Sequence, residues 1–330
     1  MSSFPAIEAK GLNKSYGAVP VLREFDLRVE GGELCGLLGP NGAGKTTIVR
    51  ILSTLVRADA GSASVAGLDV WRDRHLVRRR ISLIGQGTSV DAAQTGEENL
   101  MMIGRLAGLS VAAARGRCRE LLEAVELLGV ARRRVMTYSG GMRRRLDLAA
   151  GLMIRPQVMF LDEPTTGLDP RSRQSTWKVV REVVSSGTTV VLTTQYLEEA
   201  DQLADHVVVI DKGRVVAEGQ PAALKAQLGG RRLDLTLTDA STLARLSRSF
   251  GPRIVWSDED RLTIGLATDG NAAHVLALLD EVDPKRELVE RFELHEATLD
   301  DVFFALTGHQ AAKTSEASHL DRSQEVGANA

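Results

Sequence analysis

Apolar positions along this chain follow two periods, and the change from one to the other marks its elements. Ala6 to Ala9 and Leu22 to Val29 alternate apolar and polar residues, which predicts short strands joined by turns. Glu33 to Leu38 is a nearly continuous apolar run, the pattern of a buried strand, and it leads into a glycine-rich stretch. A helix is expected from Lys45 to about Thr54, ended by the turn-rich Ala58-Asp59-Ala60-Gly61. Between residues 97 and 130 the period lengthens: Leu100, Met101, Ile103 and Leu106, then Leu121, Leu122, Val125, Leu127 and Leu128, recur at helical spacing. Strand and helix then alternate from Gln157 to Val216, which predicts a parallel sheet with helices on both faces and a helical insert.

A second unit begins near Leu224. Arg232 to Leu237 alternates as a strand, and Asp239 to Phe250 has helical spacing. Arg253 to Ser257 and Leu262 to Ala267 predict two strands, Asn271 to Val282 a helix, Leu288 to Leu294 a strand and Leu299 to Leu306 a closing helix. The order β-α-β-β-α-β predicts a small α+β ferredoxin-like sandwich. Phe303 and Phe304 are expected in the core of the closing helix, with docking against the first domain as the alternative. The expected division is therefore 1–222 for an α/β domain with a helical subdomain at about 92–145, 223–309 for the accessory domain, and a disordered tail over 310–330, rich in Ala, Ser and Glu. No internal repeat is present.

Charge and composition exclude several classes. The 330 residues carry a net charge of −2, so no global basic field is available to hold nucleic acid. No apolar run approaches the roughly 20 residues needed to cross a bilayer. The start, Met1-Ser2-Ser3-Phe4-Pro5, lacks the basic and apolar regions of a signal peptide, and Ser2 rules out myristoylation. Any membrane role is therefore expected to go through a partner. Cys35 and Cys118 fit no metal spacing and are expected to be half-buried thiols in a reducing cytoplasm.

The chemistry sits in short motifs. Gly39-Pro40-Asn41-Gly42-Ala43-Gly44-Lys45-Thr46 matches G-x-x-x-x-G-K-[ST] between an apolar strand and a helix, the context a phosphate loop requires. Its backbone N–H groups and the helix N-terminus suit phosphate oxygens, Lys45 the β- and γ-phosphates, and the Thr46 hydroxyl Mg²⁺. Val158 to Leu161 is a buried-type strand ending in Asp162, suited to the metal, and Glu163, which points the other way and can polarise an attacking water. An acidic pair there can also merely cap a helix, a weak alternative beside a phosphate loop. Ser139-Gly140-Gly141 opens a helix and forms a second anion site; alone it is only a common helix start. Arg143, Arg144 and Arg145 are expected mostly as a solvated helix face, with the approach of at least one to phosphate or to the helical insert as the alternative. Tyr16, on an expected loop, suits stacking on adenine.

In this order, the motifs resemble those of the ATP-binding subunit of an ABC transporter, over about residues 5–220. The resemblance implies an ATP hydrolase with Tyr16, Gly39 to Thr46, Thr47, Gln86, Ser139, Gly140, Gly141 and Asp169 around the nucleotide, and Thr46, Gln86 and Asp162 around Mg²⁺. It implies catalytic roles for Glu163, Lys45 and the switch residue Gln195, a homodimer that clamps two ATP molecules, and a separate integral membrane permease at the cytoplasmic face of the membrane. Ser139 to Asp147, Thr193 to Asp201 and Leu299-Asp300-Asp301-Val302-Phe303 resemble the daunorubicin-resistance type of this family, which implies export of antibiotics or other hydrophobic compounds. Two residues depart from the wider pattern. Met142 replaces a glutamine, and Gln195 stands where histidine is usual; glutamine can donate an N–H but carries no proton charge. His206 is expected to be structural. The rival class is a non-transport ATPase of this family acting on ribosomes or nucleic acid; the single ATPase unit and the lack of coiled-coil or basic inserts speak against it.

Overall fold

The computed structural model describes residues 5–85, 87, 89–226, 231–296 and 298–307. The chain begins with β1 (Ile7–Tyr16), β2 (Val19–Val29), β3 (Leu34–Leu38), α1 (Lys45–Leu52), β4 (Ala60–Val65), β5 (Leu68–Asp69), α2 (Arg74–Val77) and β6 (Ile81–Ile84). The helical insert follows as α3 (Gly96–Leu106), α4 (Val111–Ala124) and α5 (Gly140–Leu152). Next come β7 (Val158–Asp162), α6 (Pro170–Ser185), β8 (Thr189–Thr194), α7 (Leu197–Leu203), β9 (His206–Asp211), β10 (Arg214–Gly219) and α8 (Pro221–Ala226). The second unit contains β11 (Arg231–Leu237), α9 (Ala240–Phe250), β12 (Ile254–Asp258), β13 (Thr263–Thr268), α10 (Ala272–Val282), β14 (Val289–Glu296) and α11 (Leu299–Thr307).

A six-stranded sheet ordered β10-β9-β3-β8-β7-β6 forms the centre. Every pairing in it is parallel except β10 against β9. Strand alternation divides its residues between two cores. Val158 and Phe160 face α1 and a separate antiparallel sheet, β2-β1-β4-β5, whereas Met159 and Leu161 face α5, α6 and the insert. The first two strands are thus longer than the pattern predicted and build a layer of their own. Its twist and bulges, with register shifts along β1, break the strict alternation that marks a strand in sequence. Tyr16 ends β1, paired with Val19, rather than lying in a loop. Cys35 and Cys118 are fully buried, not half-buried, and burial pushes the Cys118 thiol up to about 11.

The second unit has the element order expected, with antiparallel strands ordered β12-β13-β11-β14. Its own core joins Leu233, Leu235 and Leu237 to Leu243, Leu246 and Phe250 of α9 and to Leu278, Leu279 and Val282 of α10. The closing helix does not belong to that core. Leu299, Val302 and Phe303 pack with Leu197 and Ala200 of α7, Leu224 of α8, and Leu38, Val207 and Val209 of the central sheet. The docking alternative is therefore the one observed for Phe303; the side chain of Phe304 and residues 308–330 lie outside the described set. Phe303→Ala should lower unfolding stability by about 3–5 kcal/mol, because Phe303 is 5 % exposed and its truncation leaves a cavity beneath α7. Denaturant titration would check this; a loss below about 1 kcal/mol would mean the helix docks without contributing to the core.

Candidate functional site

The site forms where the parallel strands end. Leu38 of β3 pairs with Thr194, and Asp162 of β7 pairs with Thr193, so three strand ends lie side by side at the carboxyl edge of the sheet. Ligands of open α/β sheets bind outside this edge. The glycine loop leaves β3 here. A Cβ on Gly39 would come within 2.3 Å of the Ile210 carbonyl oxygen, so only glycine lets the loop turn this close to β9. Pro40, Asn41 and Gly42 form the exposed tip, Ala43 and Gly44 are buried, and Gly44 occupies the N-cap of α1. The helix N-terminus thus opens at the loop, with Thr46 and Thr47 in its first turn.

Lys45 is nearly buried and donates to the Gly39 and Pro40 carbonyls at 2.6 and 3.1 Å. Burial pushes its pKa below the usual lysine range, while Glu163 and Asp162 pull it back up. Asp162 Oδ1 accepts from Thr193 Oγ1 at 2.6 Å and lies 3.3 Å from Thr46 Oγ1. One carboxylate and one hydroxyl, both hard oxygen donors, suit Mg²⁺ that completes its shell with phosphate and water. No group of three or more His, Cys, Asp or Glu side chains poised for a metal occurs among the described residues.

Glu163 has a left-handed backbone, φ 49°. Its N–H donates to the Thr193 carbonyl and hydroxyl oxygens at 3.0 and 3.1 Å. The turn carries its carboxylate away from Asp162, toward the Thr166 hydroxyl, which donates to Glu163 Oε2 at 3.4 Å. Thr193 therefore ties the acidic pair to the strand that ends in the switch. Gln195 follows Thr194 and is half-buried. The Tyr196 N–H donates to Thr194 Oγ1 at 2.9 Å and sets the turn into α7. Gln86 lies outside the described residues.

Ser139 is the N-cap of α5; its Oγ accepts the Met142 N–H at 3.3 Å. Ser139 and Gly140 are exposed, so this helix start is open to another molecule. Gly141 answers to packing as well: a Cβ there would meet Ser172 Oγ at 2.4 Å. Met142 is half-buried against the core of the insert, which accounts for a thioether at this position. Asp169 caps α6, its carboxylate accepting from the Ser172 N–H at 2.9 Å and hydroxyl at 2.6 Å; these bonds hold it below the usual carboxylate range. Tyr16 is 45 % exposed, with Lys14 Nζ 5.6 Å from its ring centroid.

The three consecutive arginines divide. Arg143 donates to the Tyr138 and Met136 carbonyls, and Arg145 pairs with Glu126. Arg144 does not lie on a solvated face: it is 7 % exposed and donates to the Pro164 and Gly85 carbonyls. Glu199 was likewise not legible as part of the site. Fully buried on α7, it accepts from Thr165 Oγ1 at 2.8 Å and Trp177 Nε1 at 2.9 Å, and burial raises its pKa. Nothing in the sequence sets either residue apart, because each lies among other charged residues, Arg143 and Arg145 in one case and Glu198 and Asp201 in the other.

This arrangement of phosphate loop, paired carboxylates, switch and open helix start has a matching family. Residues 22–166 match the ABC transporter family model. The chain belongs to the ATP-binding subunits of ABC transporters, which are ATP hydrolases. It is 48 % identical over 322 residues to the daunorubicin/doxorubicin resistance ATP-binding protein DrrA of Streptomyces peucetius, covering 96 % of this chain and 97 % of that protein. A doxorubicin resistance ATP-binding protein DrrA of Mycobacterium tuberculosis is 46 % identical, covering 92 % of this chain and 93 % of that one. The Nod factor export ATP-binding protein I of Ralstonia nicotianae is 36 % identical, covering 94 % and 96 %. Among solved structures, an ATP-binding subunit of an ABC transporter superposes with a TM-score of 0.61 at 28 % identity, covering 68 % of this chain and 93 % of that one.

Proposed function

We propose that this chain is the ATP-hydrolysing subunit of an exporter that drives a separately encoded permease and moves antibiotics or other hydrophobic compounds. The observation that carries this reading is the identity to drug-resistance ATP-binding proteins, which runs through both units and not only the ATPase core. The subunit works as a homodimer on the cytoplasmic face of the membrane, attached through the permease; no described helix is long and apolar enough to span a bilayer. Residues 1–222 form the ATPase unit, with the helical subdomain over about 92–145, and 223–309 form the accessory unit.

The site supports the following roles. The N–H groups of Gly39 to Thr47 hold the phosphates, and Tyr16 stacks on adenine. Lys45 exchanges the Gly39 and Pro40 carbonyls for phosphate oxygens, which are stronger acceptors for an ammonium. Thr46, Asp162 and Gln86 hold Mg²⁺, which would neutralise the charge developing on the phosphates. Glu163 polarises the attacking water, and Gln195 donates a neutral N–H to the γ-phosphate. The exposed Ser139, Gly140 and Gly141 of one subunit, with Asp169, meet the nucleotide on the other. Each ATP thereby bridges two chains, and hydrolysis removes the contacts that favour the closed pair.

Purification from native cells in mild detergent tests the reading. An integral, multi-span protein should come with the chain and be lost when the membranes are stripped. A ribosomal or nucleic-acid complex without such a protein would overturn it.

A further inference from the structure

Helix α5 carries two buried charges, Arg144 and Asp147, one turn apart and 7 % and 0 % exposed. They hold the two flanks of one segment. Arg144 Nη1 donates to the Gly85 carbonyl at 2.8 Å, just past the end of β6. Asp147 Oδ1 accepts the Ser89 N–H and the Ser89 hydroxyl, each at 2.8 Å. The same guanidinium reaches the catalytic turn, where Arg144 Nε donates to the Pro164 carbonyl at 2.7 Å.

Pro164 directly follows Glu163. Ile84 pairs with Leu161 across β6 and β7, so the loops that leave these neighbouring strands are joined by one rigid, planar group. The network is also not saturated. Arg144 Nη2 and Asp147 Oδ2 are buried without a hydrogen-bond partner among the described residues. Buried unpaired groups cost free energy, and a clip serving stability alone is better built from apolar side chains.

We propose that Arg144 is a positioning residue for ATP hydrolysis. It holds the Glu163–Pro164 turn against the Gly85 carbonyl, so that the Glu163 carboxylate stays aimed at the attacking water. Asp147 anchors the other flank of the segment at Ser89. The helix whose first turn is the open anion site thereby also sets the geometry of the base. This rests on the assignment of Glu163 as that base.

A double-mutant cycle in the full chain tests the proposal. Arg144→Lys keeps the charge but loses the planar fork that spans two carbonyls. In the Glu163 chain it should lower kcat roughly 10- to 100-fold, the scale of a misaimed catalytic group, with KM for MgATP changed less than about 3-fold. In the Glu163→Gln background the same change should alter the residual single-turnover rate less than about 2-fold, because the group it aims is gone. A similar loss in both backgrounds, or no loss in either, would overturn the proposal. If Arg144→Lys fails to fold or to bind ATP, the cycle is run with Arg144→Gln, whose amide can donate to one of the two carbonyls but cannot span both. Non-additivity with Glu163→Gln is again expected, and additivity would again overturn it. Normal turnover in Glu163→Gln alone would instead remove the base assignment, an outcome visible in the same data before Arg144 is changed.

Discussion

Glu163→Gln is expected to lower ATP turnover by about 10²- to 10⁴-fold while leaving ATP binding intact. The amide keeps the size of the carboxylate, and the turn that carries it is held by backbone contacts to Thr193 that the substitution leaves alone. What goes is the negative charge that draws a proton from water. Since hydrolysis is the step that removes the bridging phosphate, the variant should accumulate as an ATP-bound dimer. Size-exclusion chromatography with MgATP, beside a phosphate-release assay, reads both effects. Turnover near the wild-type rate would strip Glu163 of its role. Loss of turnover with no ATP binding would point to damage in the phosphate loop, whose Lys45 feels the Glu163 charge.

Gln195→Ala should reduce kcat by about 10- to 10³-fold, the range seen when one preorganised donor to developing charge is removed. The argument rests on where Gln195 sits. Thr193 bonds Asp162 and the N–H of Glu163, Thr194 orders the turn at Tyr196, and Gln195 lies between these fixed points, half-buried at the strand end. The backbone on both sides of Gln195 is thereby fixed, which limits the ordering needed to bring its amide to the γ-phosphate. Because an amide does not titrate near neutrality, the Gln195→His chain should acquire a pH dependence near the ordinary histidine range that the natural protein lacks. Steady-state rates from pH 5.5 to 8.5 would check it. An alanine variant with unchanged turnover would show that Gln195 contributes nothing to the reaction.

Much of the site is local in sequence. The phosphate loop, the strand ending in Asp162 and Glu163, and the serine-glycine helix start are contiguous stretches whose backbone conformation follows from their own residues. What could not be read was which neighbour each residue would meet. Gly141 looked like a phosphate contact and is also wedged against Ser172; Asp169 looked like a nucleotide residue and its carboxylate caps its own helix. Arg143, Arg144 and Arg145 are chemically equal in the sequence. Only the 100° step between helix positions, set against the packing of α5 on β6 and the Glu163 turn, turns the middle one inward.

Hydrophobic period and turn residues act over a few positions, so the sequence alone marked the buried strand before the glycine loop, the helical insert and the β-α-β-β-α-β order of the second unit, but not β4, β5 or β6 or the consecutive strands β9 and β10. The tertiary structure alone decided what covers what. The period of Leu299, Val302 and Phe303 predicts an apolar helix face but is silent on its partner, and the chain chose α7 and α8 over the adjacent sandwich. Burial is a property of two surfaces, and a sequence pattern describes one of them.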